Sequence, residues 1–359
     1  MQRTTKKHFP FWQTPFFIKL FHWEYWPSFI VYAPAAFYWL YFAIKSRKLF
    51  YFTPVNPIIE TGGVFGESKM NILNRIPKNL LPKTLFIEKA HQEVKHILSL
   101  VEKAGIAFPF IAKPDIGERG FLVEIIKDES ALSAYLKNIN APFLIQELIE
   151  YPIELSVLHY RMPNEKKGNI TSVCIKKTLT VVGDGKATIE MLMREKSRAR
   201  LQLARFQGKY PELLEKIPAI GEEIVLEPIG NHSRGTTFLN GNHLIDRQLE
   251  SVFDEISFQM EDIYYGRFDL KCQSIELLKE GKGMKILEFN GVAGEPAHIY
   301  DPDYPVWKAY RDIYQHFKTV YLIGKAQMKN GIKAMSLSEM IRSYQNYRNY
   351  LKTAHNLFH

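Results

Sequence analysis

The sequence has 359 residues, of which 46% are hydrophobic and 24% are charged, and its formal net charge is +9. This balance excludes a disordered, collagen-like or disulfide-scaffold chain and indicates a sizeable core shared by two or three subdomains. The two cysteines, Cys174 and Cys272, fit a reducing compartment and lack the spacing of a zinc or redox pair.

The positive charge is concentrated at the two ends of the chain. Residues 1–50 carry seven basic side chains and one acid, and residues 321–359 carry six basic side chains and one acid. The body between them, residues 51–320, is therefore slightly acidic. Because nucleic-acid binding needs a basic stripe on the folded body, we predict no nucleic-acid partner.

The N-terminal segment, residues 1–64, is rich in aromatic side chains and contains four of the five tryptophans: Trp12, Trp23, Trp26 and Trp39. Within it, Ser28–Ile44 is an uncharged apolar run that Pro34 interrupts and three basic residues follow. The run fits a helix over Pro34–Ser46 buried on the body, an anchor at the membrane surface, or a short membrane span. We favour the buried helix and keep peripheral membrane contact through residues 1–48 as an alternative.

Hydrophobic periodicity and turn residues predict the elements of the first half of the chain. We expect strands over Leu49–Val55, Phe108–Lys113, Phe121–Ile126, Phe143–Glu147 and Ile153–Tyr160. Helices are predicted over Glu67–Ile76, Glu88–Gly105 and Asp128–Ile139. Between the strands, the glycine-containing loops Thr61–Lys69 and Pro114–Gly120 are typical of close backbone approach to a neighbour or a ligand.

The second half continues with mixed elements. We expect strands within Ile170–Val182 and over Ile224–Pro228, Gly235–Leu239, Gly266–Gln273 and Met284–Asn290, and helices over Thr188–Arg205 and Ile245–Tyr264. Because no strict alternation of strand and helix occurs, the sequence predicts an α+β fold rather than one doubly wound sheet. Residues 325–359 form a basic tail with the pattern of one or two amphipathic helices.

The most informative residues lie between positions 267 and 290. Arg267 and Asp269 are two apart on one predicted strand, so their side chains share a face, and Glu288 and Asn290 do the same on the next strand. Together they offer an all-oxygen set that suits Mg²⁺, with Arg267 beside it to stabilise a phosphoryl group or an oxyanion. The alternative is solvated charge on the surface of a hairpin.

Three further residues fit nucleotide binding. Lys113 ends a predicted strand just before the glycine-flanked loop, where its ammonium could hold phosphates. Glu147 and Glu154 lie on either side of a turn between two strands, where carboxylates can accept hydrogen bonds from an adenine amino group and from ribose hydroxyls. Taken singly, each residue is more often an exposed glutamate or a lysine at an element's end.

In order and spacing, these motifs resemble the ATP-grasp superfamily over about residues 65–310. The motifs are Lys113-Pro114, Gln146–Ile149, Glu154–Val157, Arg267–Asp269 and Glu288–Gly291. The D-alanine–D-alanine ligase and cyanophycin-synthetase-like branches are the most similar, the latter through Val181–Ile189. The resemblance implies an ATP-grasp fold in which two α+β subdomains, residues 65–160 and 161–324, clamp ATP.

The resemblance also implies roles for individual residues. Lys69 and Lys113 would hold the α- and β-phosphates under a lid at 117–120, bounded by Gly117 and Gly120 and carrying Glu118 and Arg119. Glu147 would contact adenine beside the Leu148, Ile149 and Glu150 hinge, Glu154 the ribose, and Lys176 the γ-phosphate. Asp269, Glu288 and Asn290 would bind two Mg²⁺ ions, or Mn²⁺, and Arg267 would stabilise the reacting acyl group. Ser233, Arg234 and Gly235 would form a polar substrate loop.

The implied activity is an ATP-dependent ligase that joins a carboxylate to an amine through an acyl phosphate. The N-terminal region is much shorter than the substrate domain of D-alanine ligases, so the resemblance does not identify the two substrates. A kinase or phosphotransferase, and a membrane-tethered nucleotide-binding protein without turnover, are the alternatives. We expect a cytoplasmic protein, with association at the inner membrane face and a homodimer as further expectations.

Overall fold

The computed structural model describes residues 14–118 and 120–354. Trp12, the basic residues up to Lys7 and the lid residue Arg119 therefore lie outside the described residues. The longer helices are α3 (Ala35–Ser46), α5 (Val94–Lys103), α6 (Glu129–Asn138), α11 (Arg247–Gln259), α13 (Val306–Lys329) and α14 (Leu337–Ala354). The shorter helices are α1 (Pro15–Phe21), α2 (Ser28–Tyr32), α4 (Lys69–Leu73), α7 (Ile189–Glu195), α8 (Ser197–Arg200), α9 (Leu203–Lys209), α10 (Pro211–Leu214) and α12 (Ile275–Lys279).

The strands of the described residues form three antiparallel sheets. The first sheet has the order β1-β4-β2-β3, with β1 Thr84–Ile87, β2 Phe110–Pro114, β3 Glu124–Ile126 and β4 Phe143–Glu147. The second has the order β11-β10-β5-β6-β9, with β5 Ile153–Arg161, β6 Gly168–Lys177, β9 Thr237–Asn240, β10 Tyr265–Cys272 and β11 Met284–Asn290. The third pairs β7 Leu179–Val182 with β8 Glu223–Glu227. This arrangement confirms the α+β class.

The first two sheets each have their own apolar core. In the first, α5 and α6 cover one face, and Ile97, Leu132 and Phe143 are fully buried. In the second, α11 packs on the sheet, and Phe268 contacts both Phe253 and Phe289 edge-on or tilted. Only residues 148–152 separate β4 from β5, so the two sheets follow each other through a short hinge.

The N-terminal segment packs on the body through α3. Phe42 is 1% exposed and stacks on Tyr321 of α13, with ring centroids 5.0 Å apart. This confirms the buried-helix interpretation for one face of α3. The predicted strand Leu49–Val55 is wrong, because this stretch forms a turn and a 3-10 helix over Thr53–Val55, where Pro54 favours a helical start over a ladder. None of the described helices is both long and apolar enough to cross a bilayer.

One ion pair and the C-terminal helix tie the N-terminal segment and α14 to the body. Glu24 is buried and pairs with Arg198 of α8 at 2.5 Å. At the other end, α13 runs continuously across residue 325, and α14 reaches the first sheet, where Ala354 is buried and its carbonyl accepts from the Asn140 N–H at 2.8 Å. The described part of the N-terminal segment and α14 therefore both contribute to the folded body.

Phe42 and Phe37 form a matched pair on α3, since Phe42 is 1% exposed and Phe37 is 74% exposed. We expect Phe42→Ala to lower the free energy of unfolding by about 3–5 kcal/mol, because it empties a packed aromatic site. Phe37→Ala should change it by no more than about 0.5 kcal/mol. Urea unfolding of both variants measures the difference; equal costs would show that α3 packs through another face.

Candidate functional site

A cavity of about 840 Å³ lies where the two large sheets meet. Side chains from β2 and β4 line one side, side chains from β5, β6, β10 and β11 line the other, and α13 and the N-terminal segment close the end. Most residues predicted for the site line it: Lys69, Lys113, Gly117, Gly120, Glu147, Leu148, Ile149, Glu154, Lys176, Ser233, Arg267, Asp269, Glu288 and Asn290.

Lys113 bridges the two sheets at the floor of the cavity. Its ammonium on β2 donates to the Gln146 side-chain oxygen at 2.9 Å and, across the interface, to the Leu287 carbonyl of β11 at 3.0 Å. Burial lowers the pKa of Lys113 to about 8, although Glu288 acts in the opposite direction. Both hydrogen-bond acceptors are neutral, so the cation retains affinity for an anionic ligand.

Lys69 begins α4 and reaches back to the lid loop. Its ammonium donates to the Gly117 carbonyl at 2.5 Å, and the Asp115 side chain accepts from Ser68 and from the Met70 N–H. From α14, the Tyr347 hydroxyl donates to Glu118 of the same loop at 3.1 Å. The predicted glycine-flanked loop therefore covers the cavity beside two lysines.

The strand register places the four residues between 267 and 290 side by side. Arg267 pairs with Asn290, and Asp269 pairs with Glu288, on the neighbouring strands β10 and β11. Asp269 accepts from Ser156 at 2.5 Å, from Arg267 at 3.1 Å and from the Asn290 amide at 3.1 Å. Burial raises its pKa, but Arg267 and Lys176 outweigh burial, so the net shift is downward and Asp269 is ionised.

This donor set fits a magnesium ion. Asp269, Glu288 and Asn290 supply only oxygen ligands toward the cavity, which suits a hard cation that completes its shell with phosphate oxygens and water. The described residues contain no group of three or more His, Cys, Asp or Glu side chains arranged for a metal. A metal here would therefore depend on its anionic partner as well as on the protein.

Two glutamates on the hinge side of the cavity have different partners. Glu147 accepts from the Lys83 N–H at 3.2 Å, which fixes its carboxylate where β4 ends. Glu154 on β5 pairs with Lys176 of β6 at 3.3 Å, and Lys176 also lies 3.5 Å from Asp269. Burial lowers the pKa of Lys176, but the Asp269 and Glu154 carboxylates outweigh burial. The net shift is therefore upward, and this lysine stays charged.

The predicted substrate loop divides between the cavity and the lid. Ser233 lines the cavity, whereas Arg234 and Gly235 are not among its lining residues. The Arg234 guanidinium donates to the Gly120 carbonyl at 3.0 Å, so it contacts the lid. A substrate role for Arg234 and Gly235 stays a prediction.

Several residues that line the cavity were not predicted from the sequence. Glu67 lines the cavity, burial raises its pKa to about 7, and its Oε2 is buried without a hydrogen-bond partner among the described residues. Lys271 holds the hinge by donating to the Ile149 carbonyl at 3.0 Å. Glu295 and Tyr32 also line the cavity. The glutamate in Gly66-Glu67-Ser68 was a detectable signal, since it precedes Lys69 in a glycine loop; Tyr32 had none.

No family model and no curated protein matches the sequence. Among solved structures, the chain is similar to the VanG D-Ala:D-Ser ligase of Enterococcus faecalis, at 11% identity and a TM-score of 0.38, over 68% of this chain and 57% of the ligase. It is similar to a bifunctional glutathione synthetase of Pasteurella multocida at 13% identity and a TM-score of 0.35, over 73% of this chain and 37% of the synthetase.

A third similar structure is the D-alanine–D-alanine ligase of Bacillus anthracis, at 14% identity and a TM-score of 0.39, over 73% of this chain and 67% of the ligase. The chain spans little more than half of the first structure and about a third of the second. The chemistry of this chain therefore has to follow from its own side chains.

A substitution at Gly230 tests the packing around Glu154. A Cβ atom at position 230 would lie 1.8 Å from Glu154 Oε1, whereas one at Gly208 of α9 would meet nothing within 4 Å. We expect Gly230→Ala to lower the free energy of unfolding by about 1–3 kcal/mol. Gly208→Ala should raise it by up to about 1 kcal/mol, because alanine favours a helix.

The same substitution in a Glu154→Ala background provides the control. Removing the Glu154 carboxylate relieves the collision, so Gly230→Ala should then cost much less. Urea unfolding of the four variants measures this coupling. An unchanged cost in the Glu154→Ala background would mean that Gly230 is required for another reason.

Proposed function

We propose that the chain is an ATP-grasp ligase that couples ATP cleavage to amide-bond formation between a carboxylate and an amine. One observation carries this proposal: Lys69 and Lys113 point buried or half-buried ammonium groups into a cavity that also holds Asp269, Glu288, Asn290 and Arg267. Neither ammonium makes an ion pair with a described side chain. A metal-bound polyphosphate would fit this cavity, because its phosphate oxygens would pair with the two cations and its metal with the carboxylates.

In this proposal, each side chain of the cavity has a role that follows from its position. Lys113 and Lys69 would neutralise phosphate oxygens, and Lys176 would approach from β6 on the opposite sheet. A magnesium ion bound by Asp269, Glu288 and Asn290 would supply Lewis-acid stabilisation of the phosphate charge. Arg267, held in place by Asp269, would stabilise the oxygens of the activated carboxylate. The lid would exclude water from an acyl phosphate.

The partial reactions distinguish this proposal from a kinase. A ligase should release ADP and phosphate only when both a carboxylate and an amine are present, whereas a kinase should form a phosphorylated product without an amine. We expect Arg267→Lys to lower kcat by about 10²–10³ while the Kd for Mg-ATP changes little, because the arginine acts on the reacting group. The exposed Lys282→Gln variant is the matched control.

Metal use is tested at the paired carboxylates. In the Asp269→Asn and Glu288→Gln double variant, nucleotide binding should lose its dependence on Mg²⁺, which titration calorimetry measures with and without the metal. Unchanged Mg²⁺ dependence would overturn the metal assignment. ADP release that requires no carboxylate would overturn the ligase.

We also propose that the N-terminal segment docks on an anionic bilayer. Its outer side carries exposed apolar side chains, each at least 68% exposed: Phe16, Phe21, Phe29, Phe37 and Ile44. On α3, Phe37, Leu40, Tyr41 and Ile44 follow the helical period along one stripe. The exposed cations Lys19, Lys45, Arg47 and Lys48 flank these residues, and Glu24 is buried against Arg198. An apolar stripe with a basic rim complements anionic lipid head groups.

Liposome flotation tests the docking. The full chain should float with phosphatidylcholine vesicles that contain phosphatidylserine, less with phosphatidylcholine alone, and less at high salt. The Phe29→Ser, Phe37→Ser and Ile44→Ser triple variant should remain in the soluble fraction. Ile220→Ser is the control, because Ile220 is 83% exposed outside the segment. If the chain does not float and light scattering finds a dimer that the triple variant loses, the stripe is a homodimer face instead.

A further inference from the structure

Beyond Arg267, the cavity continues into a second half that the phosphate chemistry does not use. Its walls are aromatic and apolar, with Tyr32 and Trp39 from the N-terminal segment and Phe317 and Val320 from α13. The N-terminal segment thus closes the same cavity that the two sheets open. A substrate in this half would meet rings rather than phosphate-binding lysines.

Glu295 lies at the boundary between the two halves. Its side-chain Oε2 accepts hydrogen bonds from the Tyr300 hydroxyl at 3.0 Å and from the Tyr32 hydroxyl. Its main-chain carbonyl accepts from the Arg267 guanidinium at 3.3 Å. The Glu295 backbone is therefore in direct contact with Arg267, and the Glu295 side chain lines the same cavity as the proposed phosphate-binding residues.

We propose that Glu295 binds the acceptor substrate as a primary ammonium and then takes a proton from it as the general base. This inference rests on the proposed ligase function and names the chemical class of its second substrate: a primary amine attached to an apolar or aromatic body. The rings that line this half of the cavity, among them Tyr32, Trp39 and Phe317, suit this class, because aromatic faces attract ammonium groups.

The proton balance requires such a base. An ammonium has no lone pair, so one N–H proton must pass to the Glu295 carboxylate before the nitrogen can attack. The nitrogen then forms a bond to the acyl carbon, and the bond from that carbon to the phosphate oxygen breaks with its electron pair. The second N–H proton leaves with the departing phosphate, which gives an amide and hydrogen phosphate.

The charges around Glu295 fit this role. Burial raises the pKa of Glu295 to about 7, which the Tyr300 hydroxyl opposes. From α13, His316 lines the same cavity, and burial lowers its pKa to about 4, so it is neutral near pH 7. Tyr32 faces Glu295 from α2, Glu24 lines the cavity, and the Arg267 guanidinium bonds the main-chain carbonyl instead of the carboxylate. An arriving ammonium would ionise the carboxyl group.

Binding to the full chain tests the site without any turnover. Calorimetry should show that benzylamine binds roughly 10- to 100-fold more tightly than benzyl alcohol, its neutral counterpart. At about pH 6 the free Glu295 is protonated, so binding should release close to one proton; at about pH 8.5 it is already ionised, and binding should release none. Two buffers of different ionisation enthalpy measure this release.

Variants assign the effect to Glu295. Glu295→Gln should remove the preference for benzylamine, Tyr300→Phe should weaken it, and the exposed Glu280→Gln should leave it unchanged. Equal affinity for the amine and the alcohol, or no proton release by the wild type at about pH 6, would overturn the proposal. The wild-type proton measurement holds even if Glu295→Gln does not fold.

Kinetics separates this inference from the proposed function. With Mg-ATP and a carboxylate that supports ADP release, hydroxylamine is neutral at pH 7 and needs no base. Glu295→Gln should therefore keep hydroxamate formation but lose about 10²-fold or more in amide formation with benzylamine. Equal losses with both nucleophiles would overturn the base. Benzylamine binding at Glu295 without any carboxylate activation would overturn the ligase and still support the amine site.

Discussion

The buried ammonium of Lys113 is the contact on which the arrangement of the two sheets depends. A lysine at 7% exposure loses most of its hydration, and here two neutral oxygens replace it, one from each sheet. The two oxygens replace the lost hydration only in part, since burial still lowers the pKa of Lys113 to about 8. The site therefore holds a cation that an anionic ligand would stabilise further, and the two sheets are joined at the place where that ligand would bind.

The other parts of the site follow from this geometry. Gln146 presents its oxygen to Lys113 while its amide donates to Thr84 at 3.1 Å, so the first sheet orients the lysine. On the second sheet, the antiparallel register of β10 and β11 brings Asp269 opposite Glu288 and Arg267 opposite Asn290. Arg267 then contacts Glu295, which continues the site into its aromatic half. One continuous set of contacts thus links the proposed phosphate side to the proposed acceptor side.

Local patterns were sufficient to predict most of the sheets and much of the site. Met284–Asn290 is a strand as expected, and the alternation of Arg267 with Asp269 and of Glu288 with Asn290 predicted which side chains share a face. Leu49–Val55 looked like a strand because apolar runs are ambiguous over a short length, and packing against α13 decided its conformation. Tyr32 and Glu295 are 263 residues apart, and no local pattern reports a contact over that separation. A substrate role for Arg234 stays a prediction, and in the structure its guanidinium donates to the Gly120 carbonyl.

Proton uptake on binding Mg-ATP is the most direct measurement of the central claim, that Lys113 holds an anionic ligand between the sheets. Phosphate oxygens favour the charged lysine and raise its pKa above about 8. Calorimetry of the full chain at about pH 9, in two buffers of different ionisation enthalpy, should therefore show uptake approaching one proton, and almost none at about pH 6.5. Lys113→Met should abolish the uptake. Nucleotide binding at about pH 9 without proton uptake, or uptake that persists in Lys113→Met, would contradict the account.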